Sequence, residues 1–181
     1  MKTLTTIISA LIAVSATAFS APSQAALVYK TTMNHGSVAC GGMTQTYQNM
    51  LSTRPEGRKN RMSTIAVVQC GGVSTPLNNS GDVVVYEVGF NNTTAANITV
   101  SCSLTDGFGA AGGSVSVVYP KSTTIPAGGA AWIDWDGTDT GGTSWDNGPH
   151  FIYPSMTCNL PLNAEIGYTA IIYQEDNGLA N

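Results

Sequence analysis

The amino-acid sequence predicts an all-β protein, an antiparallel β-sandwich of about eight strands with a jelly-roll or immunoglobulin-like arrangement. Three observations support this prediction. Residues 96–104 alternate apolar and polar side chains without interruption, as a strand with one buried face does. Further short runs of β-branched and aromatic residues are separated by Gly, Pro and Asn, and no helical periodicity follows residue 25. The four cysteines form an even set that can make two disulfides.

The chain begins with a predicted secretory signal peptide at residues 1–25, which leaves residues 26–181 as a single β-sandwich domain. Lys2 precedes a run without ionisable side chains, 4–19, and the small residues at 23–25 suit a signal peptidase. A membrane anchor is the alternative, but the run is shorter than the roughly 20 residues that a spanning helix needs. We therefore expect a secreted or periplasmic protein with no transmembrane segment in the mature chain.

The charge composition of the chain excludes one class of binding partner. The 181 residues include seven basic and eleven acidic side chains, which give a formal net charge of −4, and only 10% of the residues are charged. An acidic and weakly charged surface does not attract a polyphosphate backbone, so nucleic acid is excluded as a general partner.

The remaining predicted strands follow one another with turn residues between them. The first covers 27–32, and after a weakly patterned stretch the residues Arg54-Pro55-Glu56-Gly57 predict a turn. The later strands are predicted at 63–70, 83–90, 114–119, 122–125, 130–135, 152–160 and 166–174. Because the connection at 91–95 is short and polar, we expect 83–90 and 96–104 to form a hairpin.

The cysteines suggest a disulfide pairing by their positions. Cys102 and Cys158 lie on the core-facing phase of alternating strands, whereas Cys40 and Cys70 each precede two glycines. The favoured pairs are therefore Cys40 with Cys70 and Cys102 with Cys158, out of the three pairings that four cysteines allow. Disulfides fit an exported chain, and each typically stabilises a fold by about 2–4 kcal/mol.

The contexts of these cysteines also resemble those of a known group of proteins. The matching segments are 36–40, Gly57, Asn60, 65–70, 98–104, 156–161 and a closing strand at 166–173. In this order they resemble uncharacterised secreted four-cysteine β-sandwich proteins of Gram-negative bacteria. The resemblance covers nearly all of the mature chain and implies export, two disulfides and a β fold, but no particular activity. The chain departs from the pattern at Gly71-Gly72, where such proteins often carry Pro, and residues 130–150 have no counterpart.

The densest cluster of aromatic and acidic residues lies between residues 132 and 147 and contains all three tryptophans. Indole rings stack on sugars, and carboxylates accept hydrogen bonds from sugar hydroxyls, so this cluster is a candidate ligand-binding region. Its candidate binding residues are Trp132, Trp135, Trp145 and Asp146. The plainer alternative is that the Asp and Gly residues form turns and the tryptophans fill the core.

The same cluster suggests a calcium site. Asp134, Asp136 and Asp139 lie around Gly137, and carboxylate oxygens on a tight loop are the ligands that Ca²⁺ prefers. The spacing is not that of an EF-hand. Apart from Ca²⁺, the sequence indicates no cofactor.

Basic residues are concentrated in a separate cluster between residues 54 and 61. It consists of Arg54, Arg58, Lys59 and Arg61. This cluster could contact an acidic glycan, but charges without interleaved aromatic residues are more typical of a solvated turn.

No catalytic residue is predicted, since neither His35 nor His150 lies in a nucleophile or zinc motif. Glycoside hydrolysis requires two carboxyl groups, which Glu87, Asp106, Glu165 or the aspartate cluster could supply. Any chain with eleven acidic residues offers such pairs, so their presence is not evidence for an enzyme. We therefore predict a non-enzymatic protein that contacts carbohydrate or a cell-envelope surface through residues 132–150. The alternatives are a small polysaccharide-directed hydrolase and a self-associating extracellular structural protein with an open edge strand.

Overall fold

The computed structural model describes residues 27–71, 83–106, 117–147, 151 and 154–176. These residues form eleven strands and two short helices. In chain order the elements are β1 (Leu27–His35), α1 (Gly36–Ala39), β2 (Cys40–Gly42), α2 (Gln45–Met50), β3 (Leu51–Arg54), β4 (Gly57–Asn60), β5 (Ala66–Cys70), β6 (Val83–Asn92), β7 (Ile98–Asp106), β8 (Val117–Ile125), β9 (Ala130–Trp135), β10 (Ser155–Leu160) and β11 (Ala164–Asp176). The predicted signal peptide and His150 lie outside the described residues.

The strands form two antiparallel sheets that pack face to face, which confirms the predicted β-sandwich. Sheet A has the order β3-β4-β11-β6-β9. Strand β4 pairs with residues 165–166 of β11, and β1 pairs with residues 168–176 of the same strand. Sheet B has the order β2-β5-β10-β7-β8. The described part of the chain contains no helix long and apolar enough to cross a membrane.

Alternation along the strands builds the core between the sheets. The segment predicted from its alternation forms β7, in which Val100, Cys102 and Leu104 are buried. Phe90 of β6 and Ile166 of β11 meet them from sheet A. Because successive side chains point to opposite faces, the residues between these positions are directed to the outer face of each sheet.

Both predicted disulfides are present, and both lie in sheet B. Cys40 is bonded to Cys70 and joins β2 to β5, while Cys102 is bonded to Cys158 and joins β7 to β10. In each case the two cysteines stand directly opposite one another in the strand register. Disulfides of this kind form in oxidising compartments outside the cytosol.

The predicted hairpin between 83–90 and 96–104 is wrong. Strand β6 belongs to sheet A and β7 to sheet B, so the connection between them crosses from one sheet to the other. Asn92 holds this crossing, since its buried side chain donates to the carbonyl oxygens of Ala96 at 2.7 Å and Pro126 at 3.0 Å. A short connection between two alternating segments does not reveal whether they pair with each other.

The prediction that no helix follows residue 25 is also wrong, although α1 and α2 have only four and six residues. Helices of that length are too short to display a period of 3.6 residues. Thr44 caps α2 by accepting a hydrogen bond from the backbone N–H of Tyr47. The turn predicted at residues 54–57 is confirmed as the connection between β3 and β4.

Side chains fasten the two sheets together where β8 and β9 form neighbouring edges. The Lys121 Nζ atom on β8 donates to the backbone oxygen of Asp134 at 2.7 Å and to Asp139 Oδ2 at 2.8 Å. The indole N–H of Trp135 donates to the backbone oxygen of Tyr119 at 2.8 Å. These bonds hold β9 in place at the edge of sheet A.

Candidate functional site

The three tryptophans occupy different environments. Trp132 is 63% exposed, Trp145 is 43% exposed and Trp135 is fully buried. Trp135 packs against Tyr86 in an edge-to-face contact at 6.3 Å between ring centroids, and its N–H is bonded to Tyr119. Trp135 therefore fills the core, as the alternative interpretation of the cluster stated, and its ring is not available to a ligand.

Trp145 and Asp146 attach their loop to β1. The Trp145 ring lies 5.2 Å from the ring of Tyr29 between centroids, and Asp146 accepts a hydrogen bond from the Tyr29 hydroxyl at 3.4 Å and another from Ser144 at 2.7 Å. Strands β11 and β6 separate β1 from β9, which carries Trp132. The structure therefore does not bring Trp145 and Asp146 to the same strand edge as Trp132.

The three aspartates of the predicted calcium site do not converge. Asp136 accepts hydrogen bonds from the backbone and hydroxyl of Thr138, and Asp139 is paired with Lys121. Asp134 lies on β9, opposite Glu87 of β6. Among the described residues, no group of three or more His, Cys, Asp or Glu side chains could hold a metal ion. Asp136 therefore has a structural role in the turn, and Asp139 has one in the ion pair with Lys121.

Trp132 belongs to an aromatic row across the outer face of sheet A. Its cross-strand partner on β6 is Gly89, and the partner of Gly89 on β11 is Tyr168. The ring of Tyr168 lies over Gly89, because a Cβ atom at that glycine would stand 2.1 Å from the Tyr168 Cε1 atom. The missing side chain at Gly89 thus makes room for an aromatic ring between β11 and the strand of Trp132.

Two carboxylates lie beside this aromatic row. Glu87 and Asp134 stand directly opposite each other on β6 and β9, each two residues along its strand from the aromatic row. Like charges in that position are destabilising, so this arrangement is unfavourable for the fold alone. The Tyr168 hydroxyl donates a hydrogen bond to Glu87. Burial of the hydroxyl, this bond and the charge of Glu87 raise the pKa of Tyr168 to about 12, so the phenol stays protonated at neutral pH.

A cavity of about 520 Å³ opens at the end of the same face. Asn91 of β6 lines it, and the register partners of Asn91 are Ala130 of β9 and Glu165 of β11. The cavity is lined by Arg54, Glu56, Asn91, Asn92, Thr93, Gly128, Gly129, Ala130 and Glu165. A smaller depression of about 250 Å³ between β8 and β9 is bordered by Trp132, and Ala130 borders both spaces. The cavity and the aromatic row are therefore adjacent.

Glu165 is the most unusual residue of the cavity. It is only 2% exposed, and its Oε1 atom has no hydrogen-bond partner among the described residues. Burial and, to a smaller extent, the negative charge of Glu56 raise the pKa of Glu165 above its ordinary value. Lys59, Arg54 and a hydrogen bond from Asn91 act in the opposite direction without cancelling the increase.

Replacing Glu165 with glutamine is expected to stabilise the protein at neutral pH by about 1–3 kcal/mol, since it removes a buried and incompletely paired charge. A carboxyl whose pKa is raised by folding binds its proton more tightly in the folded state. Folding stability of the wild type therefore falls as pH rises from the unfolded to the folded pKa. The gain should accordingly vanish at about pH 4, where both states are largely protonated. Urea unfolding of the wild type and the variant at neutral pH and at about pH 4 measures the gain in stability. A gain that is independent of pH would contradict the raised pKa of Glu165.

The four residues of the predicted basic cluster lie in different environments. Arg58 donates to the backbone oxygen of Ser37 at 3.0 Å, and the Lys59 ammonium donates to the hydroxyl of Thr93 at 2.7 Å. Lys59 is only 8% exposed, while Arg54 and Arg61 are exposed. The cluster is therefore neither a uniform basic patch nor a wholly solvated turn.

The chain was also compared with known proteins. No family model matches the sequence, and no curated protein matches it. Among solved structures, the fold is similar to part of an exo-β-1,3-galactanase from Phanerochaete chrysosporium that was crystallised with galactose. The TM-score is 0.41 and the sequence identity 12%, over 78% of this chain and 29% of the galactanase. The chain thus spans less than a third of that enzyme's length.

Sequence reasoning missed Tyr168 and the role of Gly89, and it named Glu165 only as one of several acids. A local signal for Glu165 exists, because a glutamate between the buried residues Ala164 and Ile166 marks the outward phase of a strand. Its burial could not be read in this way, since it depends on the β3–β4 turn and on Asn91, which are distant in sequence.

Proposed function

We propose that this protein is an exported, non-enzymatic carbohydrate-binding module and that the outer face of sheet A is its binding surface. The observation that carries the proposal is the exposed indole of Trp132, which lies in one row with Tyr168 and next to Glu87 and Asp134. Export agrees with the two disulfides and with the predicted signal peptide.

The chemistry of this face suits a sugar. An indole that is 63% exposed offers a flat apolar surface for the C–H face of a pyranose ring. Glu87 and Asp134 offer acceptors for the hydroxyls at the edge of the ring. The Tyr168 phenol donates its only proton to Glu87, so towards a sugar its oxygen acts as an acceptor. All four side chains stand on strands, which hold them in a fixed geometry without a loop rearrangement.

Binding is favoured over hydrolysis because of the carboxyl groups in the cavity. A glycosidase needs two carboxyl groups that both face the scissile bond. Glu56 and Glu165 line one cavity, but the Oε1 atom of Glu165 is buried and the exposed fraction of the residue is 2%. Glu56 lies on an exposed turn and Glu165 on a strand, so the fold holds only one of the two carboxyl groups in a fixed position.

Substitution of Trp132 with alanine tests the proposal. Loss of an exposed aromatic anchor is expected to weaken binding to the best oligosaccharide on a glycan array at least about tenfold, as measured by titration calorimetry. The melting temperature should change little, since the side chain is exposed and makes no core contact. Trp145→Ala is the matched control and should keep its affinity, because Trp145 packs on Tyr29 and not in the aromatic row.

Two results would contradict this proposal. The first is a wild-type protein that binds no glycan on the array or in polysaccharide affinity electrophoresis. The second is a Trp132→Ala variant that binds as tightly as the wild type while Trp145→Ala does not.

A further inference from the structure

The cavity beside Glu165 carries an inference about which sugar is bound, and this inference rests on the proposed carbohydrate-binding function. We infer that the 520 Å³ cavity receives the ammonium group of an amino sugar whose neighbouring residue stacks on Trp132. The ligand class is therefore a β-linked or α-linked glycan that carries free amines, such as a de-N-acetylated hexosamine polymer.

The first step is the unsatisfied oxygen of Glu165. Buried carboxylate oxygens in proteins are almost always hydrogen-bonded, because an unpaired one loses its hydration without compensation. Oε1 of Glu165 has no donor among the described residues, although the residue lines a cavity large enough for a ligand group. A donor brought by a ligand would satisfy this atom.

The second step is the charge of that donor. Glu56, Glu165 and Arg54 line the same cavity; the charge of Glu56 opposes ionisation of Glu165, while the charges of Lys59 and Arg54 favour it. The cations of the protein do not bond to Oε1, since the Lys59 ammonium donates to Thr93 and the exposed Arg54 makes no bond to that atom. A ligand ammonium brings three donors and one positive charge, whereas a hydroxyl brings one donor and no charge.

The third step is the distance from Trp132. Ala130 borders the cavity and lies two residues before Trp132 on β9, which corresponds to about 7 Å along the strand. A spacing of that size suits neighbouring sugars of one chain. One ring can therefore stack on the indole while a substituent of the next ring enters the cavity.

The test uses three β-1,4-linked glucan tetrasaccharides that differ only in the substituent at C2, which is a hydroxyl, an acetamido group or an ammonium group. Titration calorimetry of the full mature protein at neutral pH is expected to show about tenfold tighter binding of the ammonium form than of the other two. Glu165→Gln should reduce this preference to less than about twofold while it keeps the affinity for the hydroxyl form. Glu56→Gln, at an exposed turn position, should reduce the preference partly and is a second, independent variant for the same comparison.

The outcomes separate this inference from the proposed function. If the hydroxyl or acetamido form binds as tightly as the ammonium form, the inference is overturned and carbohydrate binding stands. A preference for the ammonium form that survives in both glutamine variants also overturns it, since the attraction then arises from the net negative charge of the protein. If none of the three oligosaccharides binds and the glycan array is negative, both proposals fail. Trp132→Ala should weaken the binding of all three oligosaccharides by the same factor, which distinguishes stacking from recognition of the charge.

Discussion

Replacement of Trp135 with alanine is expected to lower the free energy of unfolding by about 3–5 kcal/mol, the range for removal of a large aromatic side chain from a core. Trp135 is fully buried, packs against Tyr86 and bonds to the backbone of Tyr119 in the opposite sheet. The variant leaves a cavity and an unpaired carbonyl oxygen between the sheets. Urea unfolding followed by circular dichroism measures the loss.

Trp132→Ala is the internal control for this experiment, because Trp132 lies three residues earlier on the same strand with its ring exposed. It should change the stability by less than about 0.5 kcal/mol. The pair of variants thus separates a core tryptophan from a binding tryptophan. A stable Trp135→Ala variant that loses glycan binding would reverse the two assignments.

A second large loss of stability is expected when the disulfide between Cys102 and Cys158 is removed. The two residues are separated by 56 positions, and the chain-entropy relation assigns about 4 kcal/mol to a loop of that length. The double alanine variant should therefore unfold at markedly lower urea concentration than the wild type. Because β7 and β10 remain paired by backbone hydrogen bonds, we expect the fold itself to be retained at low temperature.

The Cys40–Cys70 pair provides the comparison, since it also joins neighbouring strands of sheet B and has a separation of 30. The same relation predicts that the two double variants differ by less than about 1 kcal/mol. If one double variant loses far more unfolding free energy than the other, the packing of the removed sulfur atoms, and not the loop length, controls the stability. A melting temperature that is unchanged by reduction of both bridges would contradict this prediction.

The two predictions made for residues 96–104, a buried face and a hairpin with 83–90, had different outcomes for a physical reason. Alternation in residues 96–104 correctly gives β7 and its buried face, because that pattern depends only on the pleat of one strand. Pairing with 83–90 was predicted from the shortness of the connection, which is only a statistical preference. The buried amide of Asn92, bonded to Ala96 and Pro126, turns the chain into the other sheet instead.

The cysteine pairs were predictable because two of the four residues share a core-facing phase and the others share a sequence context. Their directly opposed positions in sheet B confirm that inference. The candidate site was predicted only in part. Trp132 is exposed as a binding residue must be, while Trp135 is core, and the aspartates around Gly137 make turns and an ion pair.

The β class, the core face of β7 and the β3–β4 turn are predictable from the sequence, and the cysteine positions favour the observed disulfides over the other two pairings, because each depends on local geometry or on a small number of alternatives. The exposure of each tryptophan, the position of Tyr168 over Gly89 and the burial of Glu165 beside Glu56 are known only from the folded structure. Those features arise from the register between strands far apart in the chain. Period-2 alternation assigns a side chain to one face of a strand, but it does not state which residue of another strand lies next to it.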